Sequence, residues 1–181
     1  MKASSRRNGV LTFGLIALGI VFGILSKAGD VAVQGNIFGG ILYAFGSITS
    51  GFFIWVVMCT GIAILSETKR LSAVNILTFL ITMLLAYYLY SHFVVNYLAL
   101  SVVKFWILML IPAAALGYIT WSIKTNRILK YIVIIAGTFV MIFDIVEQGQ
   151  LPIAMIMYII LYVIFLALTI LKSEKNQPPA V

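Results

Sequence analysis

Apolar residues run along this chain in long blocks, separated by short charged or polar groups. A helix that crosses a bilayer needs about 20 mostly apolar residues, because the hydrocarbon layer is ~30 Å thick and each residue rises ~1.5 Å. On that measure residues 9–26 form a first crossing, 71–93 a third, 99–123 a fourth, 128–147 a fifth and 151–171 a sixth. Pro152 stands where a helix begins, a position at which its missing N–H is no loss. The second crossing is the irregular one. The uncharged stretch 31–66 is 36 residues long, too long for one ordinary span and too short for two and a turn. Its glycines divide it. Gly35, Gly39, Gly40 and the run Gly46-Ser47-Ile48-Thr49-Ser50-Gly51 offer the permissive backbone of a break. The division predicted is a short interfacial or re-entrant piece over 37–46 and a span over 47–66, with one long tilted helix as the alternative.

The pattern therefore predicts an all-α fold, a polytopic transmembrane bundle of six spans. Residues 1–8 precede the membrane domain, 9–171 form it, and 172–181 are a polar, proline-containing tail expected to be disordered. Lys2, Arg6 and Arg7 ahead of an apolar run also describe a secretory signal. However, the uncharged run 8–26 has 19 residues, more than the ~7–15 of a signal core, which favours an uncleaved first span.

Composition agrees with the pattern. Of 181 residues, 63% are apolar and 9% charged, against about 45–50% and roughly 25% in soluble domains. The net charge of +7 raises a nucleic-acid reading, which its distribution removes. With the N-terminus inside, Lys2, Arg6, Arg7, Lys69, Arg70, Lys124, Arg127, Lys130, Lys172 and Lys175 are cytoplasmic, and only Lys27 and Lys104 are outside. Basic residues accumulate in cytoplasmic loops, so both termini are expected inside and the charges are anchors flanking the spans. The bilayer is the partner implied, with no nucleic acid.

The acids distribute the other way. Asp30, Asp144 and Glu147 fall at the outer ends of spans, with Lys27, Lys104, the single histidine His92, and Tyr87, Tyr88, Tyr90 and Tyr97. Only 13 uncharged residues separate Lys130 from Asp144, which draws Asp144 to, or just beneath, the outer interface. Asp144 and Glu147 share a helix face and invite a cation, for which Lys104 is the candidate. Ionisable groups within a membrane are costly and mark functional sites by default. Asp144, Glu147, Lys104, Asp30, Lys27, His92, Tyr87 and Tyr90 are thus the candidate binding or ion-pair residues. The competing reading makes the charges interfacial caps and the tyrosines an aromatic belt.

Three further residues read as packing features. Gly19 and Gly23 form a small-xxx-small pair that lets two helices approach, and Pro112 interrupts the fourth span, freeing the carbonyl of Leu108. Cys59 is the single cysteine and lies in an apolar run, which suits a packing residue. One histidine and one cysteine make no His/Cys metal site, and no HExxH, GxSxG or glycine-rich phosphate motif occurs. No enzyme, metal or cofactor is expected.

The strings Ala86-Tyr87-Tyr88-Leu89-Tyr90-Ser91 and Lys104-Phe105-Trp106 resemble a family of small bacterial multi-span membrane proteins of unassigned function, which implies a bacterial cytoplasmic membrane. Size and span number are also similar to the substrate-binding subunits of vitamin uptake transporters. The Ala-x-x-x-Ala coupling pattern of such subunits is absent from the first span, where Gly19-x-x-x-Gly23 stands instead. Two function classes follow. One is a small-solute binding or transport subunit with an outward-facing pocket, which the outer cluster of charges favours. The other is an accessory or self-protection protein, immunity-like in mode, that contacts another membrane protein subunit.

Overall fold

The computed structural model describes residues 2–33, 35–97, 100–148 and 152–174. It is all-α among these residues. The helices are α1 (Lys2–Asp30), α2 (Ile37–Ser50), α3 (Phe53–Leu65), α4 (Lys69–Phe93), α5 (Leu100–Thr120), α6 (Arg127–Gln148) and α7 (Pro152–Glu174), with a 3-10 turn over Trp121–Lys124 closing α5. Five of these elements are long and apolar enough to cross a membrane singly, and α2 with α3 makes a bent pair. The chain is therefore a multi-pass membrane helical bundle. Pro152 opens α7, as its position predicts. The tail beyond residue 174 lies outside the described residues.

Helix starts use ordinary caps. Asn36 Oδ1 accepts from the Gly39 N–H at 2.7 Å to begin α2, and Thr68 Oγ1 accepts from the Leu71 N–H at 3.2 Å to begin α4. Asn96 holds the turn after α4 with φ of 56°, a left-handed conformation that asparagine tolerates. The fourth span continues as one helix through Pro112.

The first and fourth helices settle the topology. Asn8 on α1 donates to Glu67, just before α4, at 3.1 Å, Thr12 reaches Asn75 at 3.4 Å, and Tyr87 near the other end of α4 donates to Asp30. The partners advance together, so α1 and α4 are parallel. The chain between them must return across the bundle once. α3 has 13 residues and covers only about 20 Å, so the oblique α2 supplies the rest of that crossing. With this broken span there are six crossings, and the chain starts and finishes on one side. Below, "inner" is the end rich in Lys69, Lys124 and Arg127, and "outer" is the opposite end.

The predicted break exists but lies further along than residues 46–47. α2 and α3 meet at Gly51-Phe52 with a bend of 73°, which excludes one long tilted helix. The helix runs through Gly46 because that glycine packs against Gly29 of α1: a Cβ on Gly29 would sit 2.7 Å from the Gly46 Cα. The hydroxyls of Thr49 and Ser50 both donate back to the Gly46 carbonyl at 3.0 Å, which extends α2 by one more turn.

The core is organised about α3. One face packs Ile62 and Ala63 with Leu15 of α1 and Ile76, Phe79 and Met83 of α4. Its other face packs Phe53, Ile54 and Val57 with Ala44 and Ile48 of α2 and Tyr158 and Phe165 of α7. Gly19 and Gly23 face α4, as the small-xxx-small pattern predicts. A Cβ on Gly19 would lie 2.8 Å from the Phe79 carbonyl oxygen, and one on Gly23 2.8 Å from the Tyr87 nitrogen. α5 is peripheral; Gly117 is its one buried residue.

Candidate functional site

Outer-end chemistry starts with the last turn of α1. Ser26, Lys27 and Asp30 follow Gly23, whose missing side chain holds this end of α1 against the end of α4. Lys27 Nζ lies 3.8 Å from Asp30 Oδ2 and 5.2 Å above the Tyr87 ring, while the Tyr87 hydroxyl donates to the same Asp30 oxygen. The three residues make one compact cluster of lysine, carboxylate and phenol.

Beside it opens a cavity of about 230 Å³. Its polar wall is Ser26 and Asp30 from α1, Thr49 and Ser50 from the end of α2, and Tyr87 and Tyr88 from α4. Apolar residues complete it, among them Trp55 of α3 and Trp106 of α5. Ser26 is 3% exposed, and neither its Oγ nor the buried Tyr88 hydroxyl has a hydrogen-bond partner among the described residues. Buried polar atoms in folded proteins are nearly always paired, with protein, water or ligand. Two unmatched hydroxyls on one cavity wall are therefore a place for a hydrogen-bonding guest.

Asp144 takes a different role. It is 2% exposed and its Oδ2 accepts from the Phe53 N–H at 2.6 Å. That donor is at the start of α3, where backbone N–H groups have no partner within the helix and the dipole favours an anion. No water in the hydrocarbon layer can satisfy such a group, so the carboxylate closes the break. Gly51 has an ordinary φ of −79°; glycine is needed there for space, because a Cβ would lie 2.9 Å from the Asp144 carboxyl carbon and 3.0 Å from the Tyr158 hydroxyl. Two further groups at the break are matched, while the buried Tyr158 hydroxyl has no partner among the described residues. Gly51 N–H reaches the Ile48 carbonyl at 3.1 Å, and the Trp55 indole N–H donates to the Thr49 carbonyl at 3.1 Å. A fixed 73° corner results, with Trp55 held on the cavity wall.

The expected pairing of Asp144 with Lys104 is thus corrected. Asp144 turns inward to α3, and Lys104 is exposed on the peripheral α5. Glu147, three residues on from Asp144, is exposed as well and does not share its site. His92 is exposed, with its ring 4.8 Å from that of Phe93, and Tyr90 is half-buried outside the cavity wall. Of the predicted cluster, Lys27, Asp30 and Tyr87 come together. No group of three His, Cys, Asp or Glu side chains placed to hold a metal occurs among the described residues.

The residues missed are Ser26, Thr49, Ser50, Trp55 and Trp106; Tyr88 is grouped with the outer tyrosines but not among the candidate binding residues. The signal was present in Thr49-Ser50-Gly51, a polar pair within an apolar stretch, but it suggested backbone breakage alone.

A second cavity, about 400 Å³ and almost wholly apolar, lies deeper. Leu110, Ala113 and Leu116 of α5 form one side, Val133, Ala136 and Val140 of α6 the other, and α3 and α4 the floor, where Cys59 sits. Trp55, Met83, Leu84 and Trp106 line both cavities. Compared with family models, curated proteins and solved structures, the chain matches none of them.

Proposed function

We propose that this chain is a small-solute binding or transport subunit of a bacterial cytoplasmic membrane, taking its solute from the outer face. The observation that carries the reading is the outer cavity, whose wall holds two buried hydroxyls, Ser26 Oγ and Tyr88 OH, without a partner among the described residues. Among the described residues the charged side chain on that wall is Asp30, already engaged by Lys27 and Tyr87. A solute carrying hydrogen-bond donors suits this lining. The broken span beside the cavity adds support, because discontinuous helices frame the binding sites of many secondary transporters.

The test is thermal stability of the purified protein against a panel of small amines and polyols. A ligand that binds only the folded state raises apparent stability by mass action. At least one compound should raise the melting temperature of the wild type and leave Ser26→Ala/Tyr88→Phe unmoved. Absence of any such shift would transfer preference to an accessory protein acting through contact with another membrane subunit.

A further inference from the structure

The deeper cavity raises a question that the outer one does not answer. Its walls are apolar, its volume of about 400 Å³ falls within the roughly 300–1,000 Å³ of ligand pockets, and it lies directly under the polar cavity. The two compartments meet at Trp55 and Trp106, whose rings are 6.4 Å apart in an edge-to-face arrangement. Trp55 is held by its bond to the Thr49 carbonyl, so the common wall is part of the fixed corner of the broken span.

We infer that both compartments serve one guest: a single-chain amphiphile drawn from the outer leaflet, with its head in the polar cavity and its chain in the apolar one. This rests on the binding-subunit reading and names the class of substrate. A polar compartment with unmatched hydroxyls above an apolar one, sharing four side chains, reproduces the division of such a molecule. The route of entry is lateral. α5 and α6 touch only sparingly, and their facing side chains, Leu116 and Ala136 among them, remain exposed. That leaves a cleft through which a chain can slide from the bilayer.

The lining also selects the head. Ser26 and Tyr88 offer hydroxyls, Thr49 and Ser50 donate their protons to Gly46 and keep free lone pairs, and Asp30 is an acceptor. Acceptors dominate and the one charge is negative, so the head carries donors, as an alcohol or an ammonium does. A carboxylate or phosphate head finds donors in Ser26 and Tyr88 alone, because Lys27 and the Tyr87 hydroxyl are already committed to Asp30.

The experiment uses the full chain in phosphatidylcholine nanodiscs, with fluorescence of Trp55 and Trp106 as the reporter. Terminally brominated dodecylamine, dodecanol and dodecanoate are the probes, and butylamine, followed by thermal stability, supplies the head without the chain. The amine and alcohol should quench saturably, and affinity referred to the free aqueous probe concentration should rise about tenfold for every two methylenes added, the water-to-apolar transfer free energy of CH2 groups. Dodecanoate should bind at least about tenfold more weakly, from loss of head-group pairing. Ala136→Phe, which fills the apolar cleft, should abolish the chain-length gain while leaving butylamine's effect intact. Ala136→Leu makes the same test with less added bulk, should the larger variant fail to fold.

Equal binding of butylamine and dodecylamine, both dependent on Ser26 and Tyr88, would overturn the amphiphile and preserve the binding subunit. Quenching that is equal for all three heads and linear in mole fraction would also overturn it, since the cleft would then hold only bulk lipid. No saturable binding by any probe would remove both readings.

Discussion

The two ends of the bundle use the same residue types in opposite ways. At the inner end, polar side chains gather on the end of α3. The Ser66 carbonyl accepts from the Trp121 indole N–H at 3.0 Å and from Lys124 Nζ at 2.7 Å. Ser66 Oγ donates to the Ile62 carbonyl and accepts from Asn75 Nδ2 at 3.0 Å, and Ser72 donates to the Gly117 carbonyl at 2.9 Å. Lys124 also lies 4.8 Å above the Trp121 ring. These groups satisfy one another and seal that end. At the outer end Ser26 and Tyr88 are buried without such partners, and a cavity lies against them. Hydroxyls at the inner end hold helices together; at the outer end Tyr87, Thr49 and Ser50 are paired, while Ser26 and Tyr88 have no partner among the described residues and face the cavity.

The comparison can be broken first at the contact that holds the outer cavity together. Gly23→Leu should have the largest effect, because even a Cβ there would lie 2.8 Å from the Tyr87 nitrogen. Overpacking costs about 1–3 kcal/mol where side chains can shift; here the obstacle is backbone, and the folded yield should collapse. Gly19→Leu should fall in the same direction. Size-exclusion recovery and thermal unfolding in detergent measure both. Wild-type behaviour would mean that α1 does not rest on α4.

Next is the corner of the broken span. Asp144→Ala should cost about 2 kcal/mol, the worth of a hydrogen bond to a charged group with its donor left unsatisfied. Combined with Lys104→Met the effects should be additive, since the two side chains belong to different sites; a double-mutant cycle on unfolding free energy measures this. Rescue in the double variant would restore the abandoned ion pair.

The contrast between the ends is sharpest in the two smallest effects. Asn75→Ala, at the sealed end, should destabilise by about 1 kcal/mol, typical of polar contacts between membrane helices. Ser26→Ala, at the open end, should change stability by less than about 0.5 kcal/mol, because no hydrogen bond within the chain is lost. Its consequence should appear only with a ligand present. Equal losses in both variants, without ligand, would show that Ser26 is structural and that the ends do not differ.

Span number and position were legible because they depend on residue type counted along the chain. The long uncharged runs between Asp30 and Glu67, or between Lys104 and Lys124, signal crossings whatever their neighbours are. Gly19-x-x-x-Gly23 declared a close helix contact for the same reason, since the four-residue spacing alone places both on one face. The irregular second span was visible as a length that suits neither one helix nor two. Its corner was misplaced by a few residues because Gly46 and Gly51 look alike in sequence, and only the facing groups distinguish them: Gly29 for the first, Asp144 for the second.

Partnership across helices was not legible. The same argument that drew Asp144 beneath the outer interface suggested Lys104 as its counter-charge, as the cation expected at the outer end of the preceding span. Rotation and neighbour order decide otherwise, and both arise from packing of all the helices at once. α5 was placed at the periphery and α3 at the centre by that packing, so Lys104 faces outward and a backbone N–H, invisible to any reading of side chains, receives the carboxylate. The outer cavity follows the same rule. Its wall draws on α1, α2, α3, α4 and α5, and such a convergence has no periodicity along the chain. Sequence alone determined that this is a membrane bundle and where it crosses; tertiary structure decided which polar groups find partners and which are left facing a cavity.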